Sequence, residues 1–254
     1  HRITFALALF HVVLALLLHG GMHGAWCWER VIPHLRHRTI AIDLPGRPGA
    51  GKQPPTLDGF AETVVDAIND EPGDAVIVAH SLAGIVALAA AERAPGKIRK
   101  IIFVSAVVPP SGSCFWDMLP APLRWFGRFL LSGDRTSIMP RWMARAVFCN
   151  DLSREDQDRL LDRLVPEPVK ILDTELHYKI PENIGVSYVI TTRDRAIRPR
   201  TQEEYMNSLP KRTRHFTLDS GHSAWYSRPT ELAEIINAEI EDDDSSIPPG
   251  FMRS

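Results

Sequence analysis

From Val76 to Leu88 the chain reads Val-Ile-Val-Ala-His-Ser-Leu-Ala-Gly-Ile-Val-Ala-Leu, a β-branched apolar strand that passes through Ser81 into an alanine-rich helix with almost no room to turn. A handover this short forces the serine into a sparsely populated backbone conformation, and Ala79, Ala83 and Gly84 must be small for strand and helix to pass closely. Ser81 then points outward beside the positive end of the following helix, where a nucleophile is well placed. The pattern is A-x-S-x-G, with Ala79 standing where G-x-S-x-G has its first glycine. A serine before a helix also serves as an ordinary N-cap, so the motif gains meaning only from partners elsewhere in the chain.

The surrounding sequence supplies a frame for it. Apolar, β-branched runs recur at 12–18, 38–42, 75–79 and 100–105, separated by helix-like stretches at 28–35, 57–68 and 85–93. Alternation of strand and helix implies a parallel sheet covered on both faces, and two further strands are expected at 186–191 and 215–218. Between roughly 107 and 180 the pattern changes to proline-punctuated helical segments rich in Trp, Phe and Met, which reads as a cap inserted over the carboxyl ends of the strands. Of its aromatic cluster, Trp116, Trp125, Trp142 and Met143 are the candidates for lining a substrate pocket, although such residues more often pack a cap onto its body. A helix near 231–240 and an acidic, Ser/Pro/Gly-containing segment at 241–254, expected to be a flexible tail, close the chain.

At 254 residues and 44% hydrophobic content the chain fits one domain with one large core. A formal charge of -2, with no basic run interleaved with aromatics, argues against a nucleic-acid partner. Cys27, Cys114 and Cys149 form neither a C-x-x-C nor a zinc spacing, which suits free thiols in a reducing, cytoplasmic setting. His19 and His23 flank Gly20 and Gly21 in a loop and lack the helical spacing of a metal pair, so neither a metal nor another cofactor is expected. The apolar stretch 3–18 resembles a signal-peptide core, yet it is short for a membrane span, is interrupted by His11 and feeds directly into the His19 loop. That reading assigns 12–18 to the core and leaves 1–10 as either an edge strand or a targeting remnant.

A serine hydroxyl is a weak nucleophile until a base takes its proton, and the base needs an acid to hold its tautomer. Asp194 follows the strand 186–191, and His222 lies in a glycine-containing loop after the strand 215–218, giving the order Ser81, Asp194, His222. Asp219 stands only three residues before His222 and reads as part of the turn; Asp43 follows an earlier strand and reads as fixing its own loop. The other acid position, after 100–105, is closed because Ala106-Val107-Val108 carries no carboxylate. An oxyanion would be received by the backbone amides of Leu82, at the helix start, and Gly21, in the glycine loop after the first core strand.

With these residues the chain resembles the α/β-hydrolase superfamily, and within it the plant methylesterase and hydroxynitrile lyase group with its bacterial esterase relatives. The matching segments are Leu18-His19-Gly20-Gly21-Met22-His23-Gly24-Ala25-Trp26-Cys27-Trp28, Asp43-Leu44-Pro45-Gly46, Ala79-His80-Ser81-Leu82-Ala83-Gly84, Thr191-Thr192-Arg193-Asp194 and Gly221-His222-Ser223. The resemblance implies Ser81, Asp194 and His222 as nucleophile, acid and base, and Gly21 and Leu82 as oxyanion donors. Lyases of the group carry a threonine where this chain has Gly20 and a lysine where it has Ser223, so the implied chemistry is cofactor-free hydrolysis of a small carboxylic ester. A lyase on the same residues and a small-ligand receptor on a hydrolase body are the competing readings.

Overall fold

The computed structural model describes residues 13–130 and 135–242. The expectations for 1–10, and those for the tail from residue 243 onward, lie outside the described residues. The first half alternates as the apolar runs require: β1 (Val13–Leu18), β2 (Arg38–Ile42), α1 (Leu57–Asn69), β3 (Asp74–His80), α2 (Ala83–Arg93) and β4 (Ile98–Val104). An inserted segment follows, with α3 (Ala121–Leu130), β5 (Thr136–Ser137), α4 (Arg141–Phe148), α5 (Arg154–Leu161), β6 (Glu167–Pro168) and α6 (Lys170–Asp173). The chain then returns through β7 (Gly185–Thr191), α7 (Pro199–Asn207), β8 (Arg214–Leu218), α8 (Ala224–Ser227) and α9 (Pro229–Glu241).

Among the described residues the main sheet has the order β2-β1-β3-β4-β7-β8, with every neighbouring pair parallel. Because a strand alternates its side chains, β1 feeds two cores at once. Leu14, Leu16 and Leu18 pack with Phe60, Val64, Ile85 and Leu88 of α1 and α2, while Ala15 and Leu17 pack with Trp28, Trp225, Leu232 and Ile236 on the opposite face. The inserted segment joins both layers, through Ile171 on the first and Ala144, Phe148 and Leu160 on the second. No helix among the described residues is long and apolar enough to cross a membrane.

The sheet order places the site. β1 lies between β2 and β3, so the chain reverses direction across the sheet at β1, and the loops leaving β1 and β3 open side by side at the carboxyl edge. Leu18 pairs with Ala79, which sets the His19-Gly20-Gly21 loop next to Ser81.

The expected helix at 28–35 is corrected to two short 3-10 turns, Ala25–Trp28 and Ile32–His34. Cys27, Glu29 and Val31 each donate to the carbonyl three residues back, and Pro33 has no N–H with which to extend an α-helical ladder.

Candidate active site

Ser81 occupies the turn between β3 and α2 with φ +54, the left-handed region that costs a non-glycine residue strain. The neighbouring backbone over-determines it: Ser81 N–H donates to the Val104 carbonyl at 3.1 Å, and its own carbonyl accepts from Gly84 N at 3.0 Å and Val107 N at 2.9 Å. Gly84 is required by close approach, since a Cβ there would lie 3.0 Å from the Ala106 Cβ. Strand and helix therefore hold the hydroxyl out toward the carboxyl edge of the sheet.

His222 Nε2 lies 3.0 Å from Ser81 Oγ, and His222 Nδ1 lies 2.7 Å from Asp194 Oδ2. A carboxylate only accepts, so Nδ1 carries the proton and Nε2 is left to accept from the serine hydroxyl. Asp194 is itself fixed: Oδ1 accepts the backbone N–H groups of Ala196 and Ile197 at 2.8 and 2.9 Å, and Oδ2 also accepts from Thr191 Oγ1 and Gln202 Nε2. Asp194 and His222 are 4% and 1% exposed, which keeps water from competing for these bonds. Asp219 is instead exposed and pairs with Arg193 at 2.8 Å, and Asp43 accepts the Ala25 N–H at 2.7 Å.

The two glycines of the β1 loop pack on the elbow residue by residue. A Cβ on Gly20 would lie 2.8 Å from Ser81 Cβ, and one on Gly21 would lie 3.2 Å from Leu82 Cδ2. Leu82 caps the N-terminus of α2, where the first amides have no partner within the helix. Gly21, Leu82, Arg47 and Glu167 line one small pocket with a cavity volume of about 10 Å³, walled on its apolar side by Phe60 and Val86.

Three more histidines surround this center, all buried. His19 donates from Nδ1 to the Gly20 carbonyl and accepts the Leu44 N–H at Nε2, which fixes a neutral imidazole. His23 donates from Nδ1 to the Gly21 carbonyl at 2.7 Å, and His80 donates from Nε2 to the His222 carbonyl at 2.9 Å. Burial, with the Arg47 charge second, holds His19 well below the ordinary histidine value; burial brings His23 down to about 3; burial and then the neighboring His222 hold His80 well below it. Among the described residues no three His, Cys, Asp or Glu side chains are grouped as a metal ion would require.

The profile of the Alpha/beta hydrolase family matches residues 15–235. The chain belongs to that family. Methylesterase 9 of Arabidopsis thaliana is 26% identical to this alpha/beta hydrolase over 249 residues, covering 86% of this chain and 94% of its own. An extracellular alpha/beta-hydrolase from a Paenibacillus species superposes with a TM-score of 0.78 at 24% identity, covering 91% of this chain and 100% of its own. A pyrethroid hydrolase from Sphingobium faniae JZ-2 superposes with a TM-score of 0.75 at 20% identity, covering 92% of this chain and 100% of its own.

None of the candidate pocket aromatics of this hydrolase is among the residues that line the small pocket beside Gly21 and Leu82. Trp125 is 73% exposed and stacks on Phe129, also exposed, at 6.1 Å. Four residues apart on α3, the two share one face and satisfy each other outside the core. Trp142 is 71% exposed because it precedes Ala144 by two residues, about 200° around the helix, and Ala144 faces inward. Met143 is half-exposed, and Trp116 is buried against Phe115.

Residues that no local pattern singles out hold the histidine loop instead. Phe148, at the end of α4, lays its ring on His222 with centroids 5.5 Å apart and planes 25° apart, and its carbonyl accepts from Ser223 Oγ at 2.7 Å. Asp151 accepts the Gly221 N–H at 2.6 Å, and Asn150 donates to the Arg193 carbonyl at 3.0 Å. The inward spacing of Ala144 and Phe148 is the one sequence signal that pointed to any of these.

Proposed function

We propose that this alpha/beta hydrolase is a cofactor-free serine hydrolase that cleaves a small carboxylic ester through an acyl-enzyme on Ser81. The observation that carries the reading is the unbroken chain Asp194 Oδ2, His222 Nδ1, His222 Nε2, Ser81 Oγ, at 2.7 and 3.0 Å, ending on a serine held at φ +54. The naming of its relatives, Methylesterase 9 among them, supports an ester as substrate.

As Ser81 Oγ attacks the carbonyl carbon, His222 Nε2 takes its proton, and Asp194 stabilizes the imidazolium without itself being protonated. The amides of Leu82 and Gly21 receive the oxyanion in a geometry set before the reaction begins. Collapse of the tetrahedral intermediate expels the alcohol, which takes the proton from His222; water, activated by the same nitrogen, then releases the acid. The inserted segment acts as a cap over this edge, with Glu167 and Ile171 closing on the Gly21 and Leu82 side of the site.

Two observations weigh against the lyase reading. Ser223, in the place of the lyase lysine, is buried and spends its hydroxyl on the Phe148 carbonyl, so it offers no cation to a departing cyanide. Gly20, in the place of the lyase threonine, is pressed against Ser81.

Incubation with a fluorophosphonate followed by mass spectrometry of the peptides, together with a panel of p-nitrophenyl esters, tests the proposal. Labelling at Ser81 and hydrolysis that Ser81→Ala lowers by about 10⁶-fold in kcat are expected. A Ser81→Ala protein that keeps more than a few per cent of the activity refutes it.

A further inference from the structure

Arg47 and Glu167 form a buried ion pair that takes no part in the triad. They are 7% and 4% exposed, and the pair is bidentate: Arg47 Nη1 donates to Glu167 Oε1 at 3.2 Å, and Arg47 Nη2 donates to Oε2. Removing two charges from water is costly, so a buried pair with further, directed hydrogen bonds calls for a reason beyond stability. Apart from a long bond of Arg47 Nη1 to the Pro45 carbonyl at 3.4 Å, the further bonds go to one place. Glu167 Oε2 accepts the Met22 N–H at 2.6 Å, and Arg47 Nε donates to the His23 carbonyl at 2.9 Å.

Met22 and His23 directly follow Gly21, and Met22 sits at φ +63, a left-handed conformation that a methionine does not adopt by preference. Besides Glu167, the inserted segment grips Met22 twice more: Val165 N–H donates to the Met22 carbonyl at 2.9 Å, and Met139 N–H lies 3.3 Å from the Met22 sulfur. Gly21 is thus followed at once by a strained residue whose N–H, carbonyl and side chain are all held from outside the loop. The electrostatics agree with this use. A Cβ on Gly21 would lie 3.5 Å from Glu167 Oε2, so an unpaired carboxylate there would oppose an oxyanion at Gly21, and the Arg47 charge cancels it.

We propose that Glu167, neutralised by Arg47, is a positioning residue for the oxyanion loop: the inserted segment reaches across to fix Met22, and through it the direction of the Gly21 amide, so that the oxyanion site is complete only when that segment is seated. The inference rests on the hydrolase reading above. Its consequence is that substrate access and transition-state stabilization are coupled through one ion pair.

The test compares the parent protein with Glu167→Gln, which keeps an acceptor for Met22 but leaves Arg47 without its counter-charge, and with the double variant Arg47→Met, Glu167→Leu, which removes both charges and leaves neither unpaired. Three quantities are read on p-nitrophenyl acetate: kcat, KM, and the inhibition constant of an aryl trifluoromethyl ketone, whose serine adduct carries an oxyanion. Melting temperatures identify variants that fail to fold, and Glu167→Gln serves alone if the double variant does. The expected result is a kcat loss of about 10- to 100-fold, below the loss for deleting an oxyanion donor outright, with KM within about threefold and the ketone weakened by the same factor as kcat. Folded variants with parental kcat, or a kcat loss with undiminished ketone affinity, overturn the proposal. A parent protein that neither hydrolyses the ester nor labels at Ser81 fails at the hydrolase reading instead, and the inference falls with it.

Discussion

Replacing Gly20 with alanine adds a single methyl group, and the structure fixes where it must go. The new Cβ would lie 2.8 Å from Ser81 Cβ, 3.0 Å from His80 Nδ1 and 3.3 Å from Ser81 Oγ. Carbon atoms in contact sit about 3.5 to 4.0 Å apart, so something must retreat by roughly 0.7 to 1.2 Å. The surroundings have little freedom to do so: His80 is bonded to the His222 carbonyl, the Ser81 backbone is bonded on both sides, and the Gly20 carbonyl accepts from His23 N and His19 Nδ1. The part that can yield is the Ser81 side chain, whose oxygen sits 3.0 Å from His222 Nε2. A displacement of about 1 Å at the reacting atom costs on the order of 10²-fold in rate, equivalent to about 2.7 kcal/mol in the barrier. Overpacking adds about 1 to 3 kcal/mol of destabilization, which lowers the melting temperature without unfolding the protein at 25 °C. Steady-state kinetics on p-nitrophenyl acetate, with thermal denaturation followed by circular dichroism, measure both. A folded Gly20→Ala protein with kcat within threefold of the parent would show that the loop yields and the reasoning fails. Gly20→Thr, which introduces the lyase residue, is expected to lose esterase activity further and to release no cyanide from mandelonitrile above the buffer rate.

Asp194→Asn should lower kcat by roughly 10⁴-fold, because the amide cannot accept all the donors now directed at the carboxylate and disturbs the His222 tautomer, whereas Asp219→Asn alters only exposed contacts to Arg193 and Thr192 and should change kcat less than twofold; a reversal in the same ester assay would assign the acid to Asp219. His19, His23 and His80 are held neutral in the folded protein, His23 down to about 3, while the unfolded chain protonates them near 6.5. Stability should therefore be constant above that pH and fall as pH drops below it, by up to about 1.4 kcal/mol per pH unit for each histidine, and urea midpoints that do not change between pH 7 and pH 5 would contradict the assignment. Phe148→Ala should destabilise the protein by about 3 to 5 kcal/mol and reduce kcat, since its ring rests on His222, while Trp142→Ala at an exposed position should leave both stability and acyl-chain preference within error; a shift in the chain-length profile for Trp142→Ala would bring that residue back to the substrate.

The sequence alone determined what depends on short-range pattern. β-branched runs of strand length, separated by helical spacing, specify buried parallel strands, and the apolar stretches at 38–42 and 186–191 became β2 and β7 almost residue for residue. The small residues around Ser81 dictate the sharp turn, and chain order puts Asp194 and His222 at strand ends on one edge of the sheet. The limits of local pattern showed first at 28–35, where apolar spacing suggested a helix but Pro33 denied the hydrogen bond that would continue it. Trp125 and Trp142 show it again: composition favors burial, yet helical phase turned both to solvent. What only the tertiary structure decided are the contacts between distant segments: Glu167 on Met22 across 145 residues, Arg47 on Glu167 across 120, Ser223 on Phe148 across 75 and Gly221 on Asp151 across 70. Apart from the spacing that turns Phe148 inward with Ala144, these partners carry no local signal, because a carboxylate or a phenyl ring looks the same in sequence whether it faces water or the back of a histidine loop. Its role is set by the crossing of the inserted segment over the sheet edge, where burial makes each hydrogen bond costly to lose and so holds the loops around Ser81 in one arrangement.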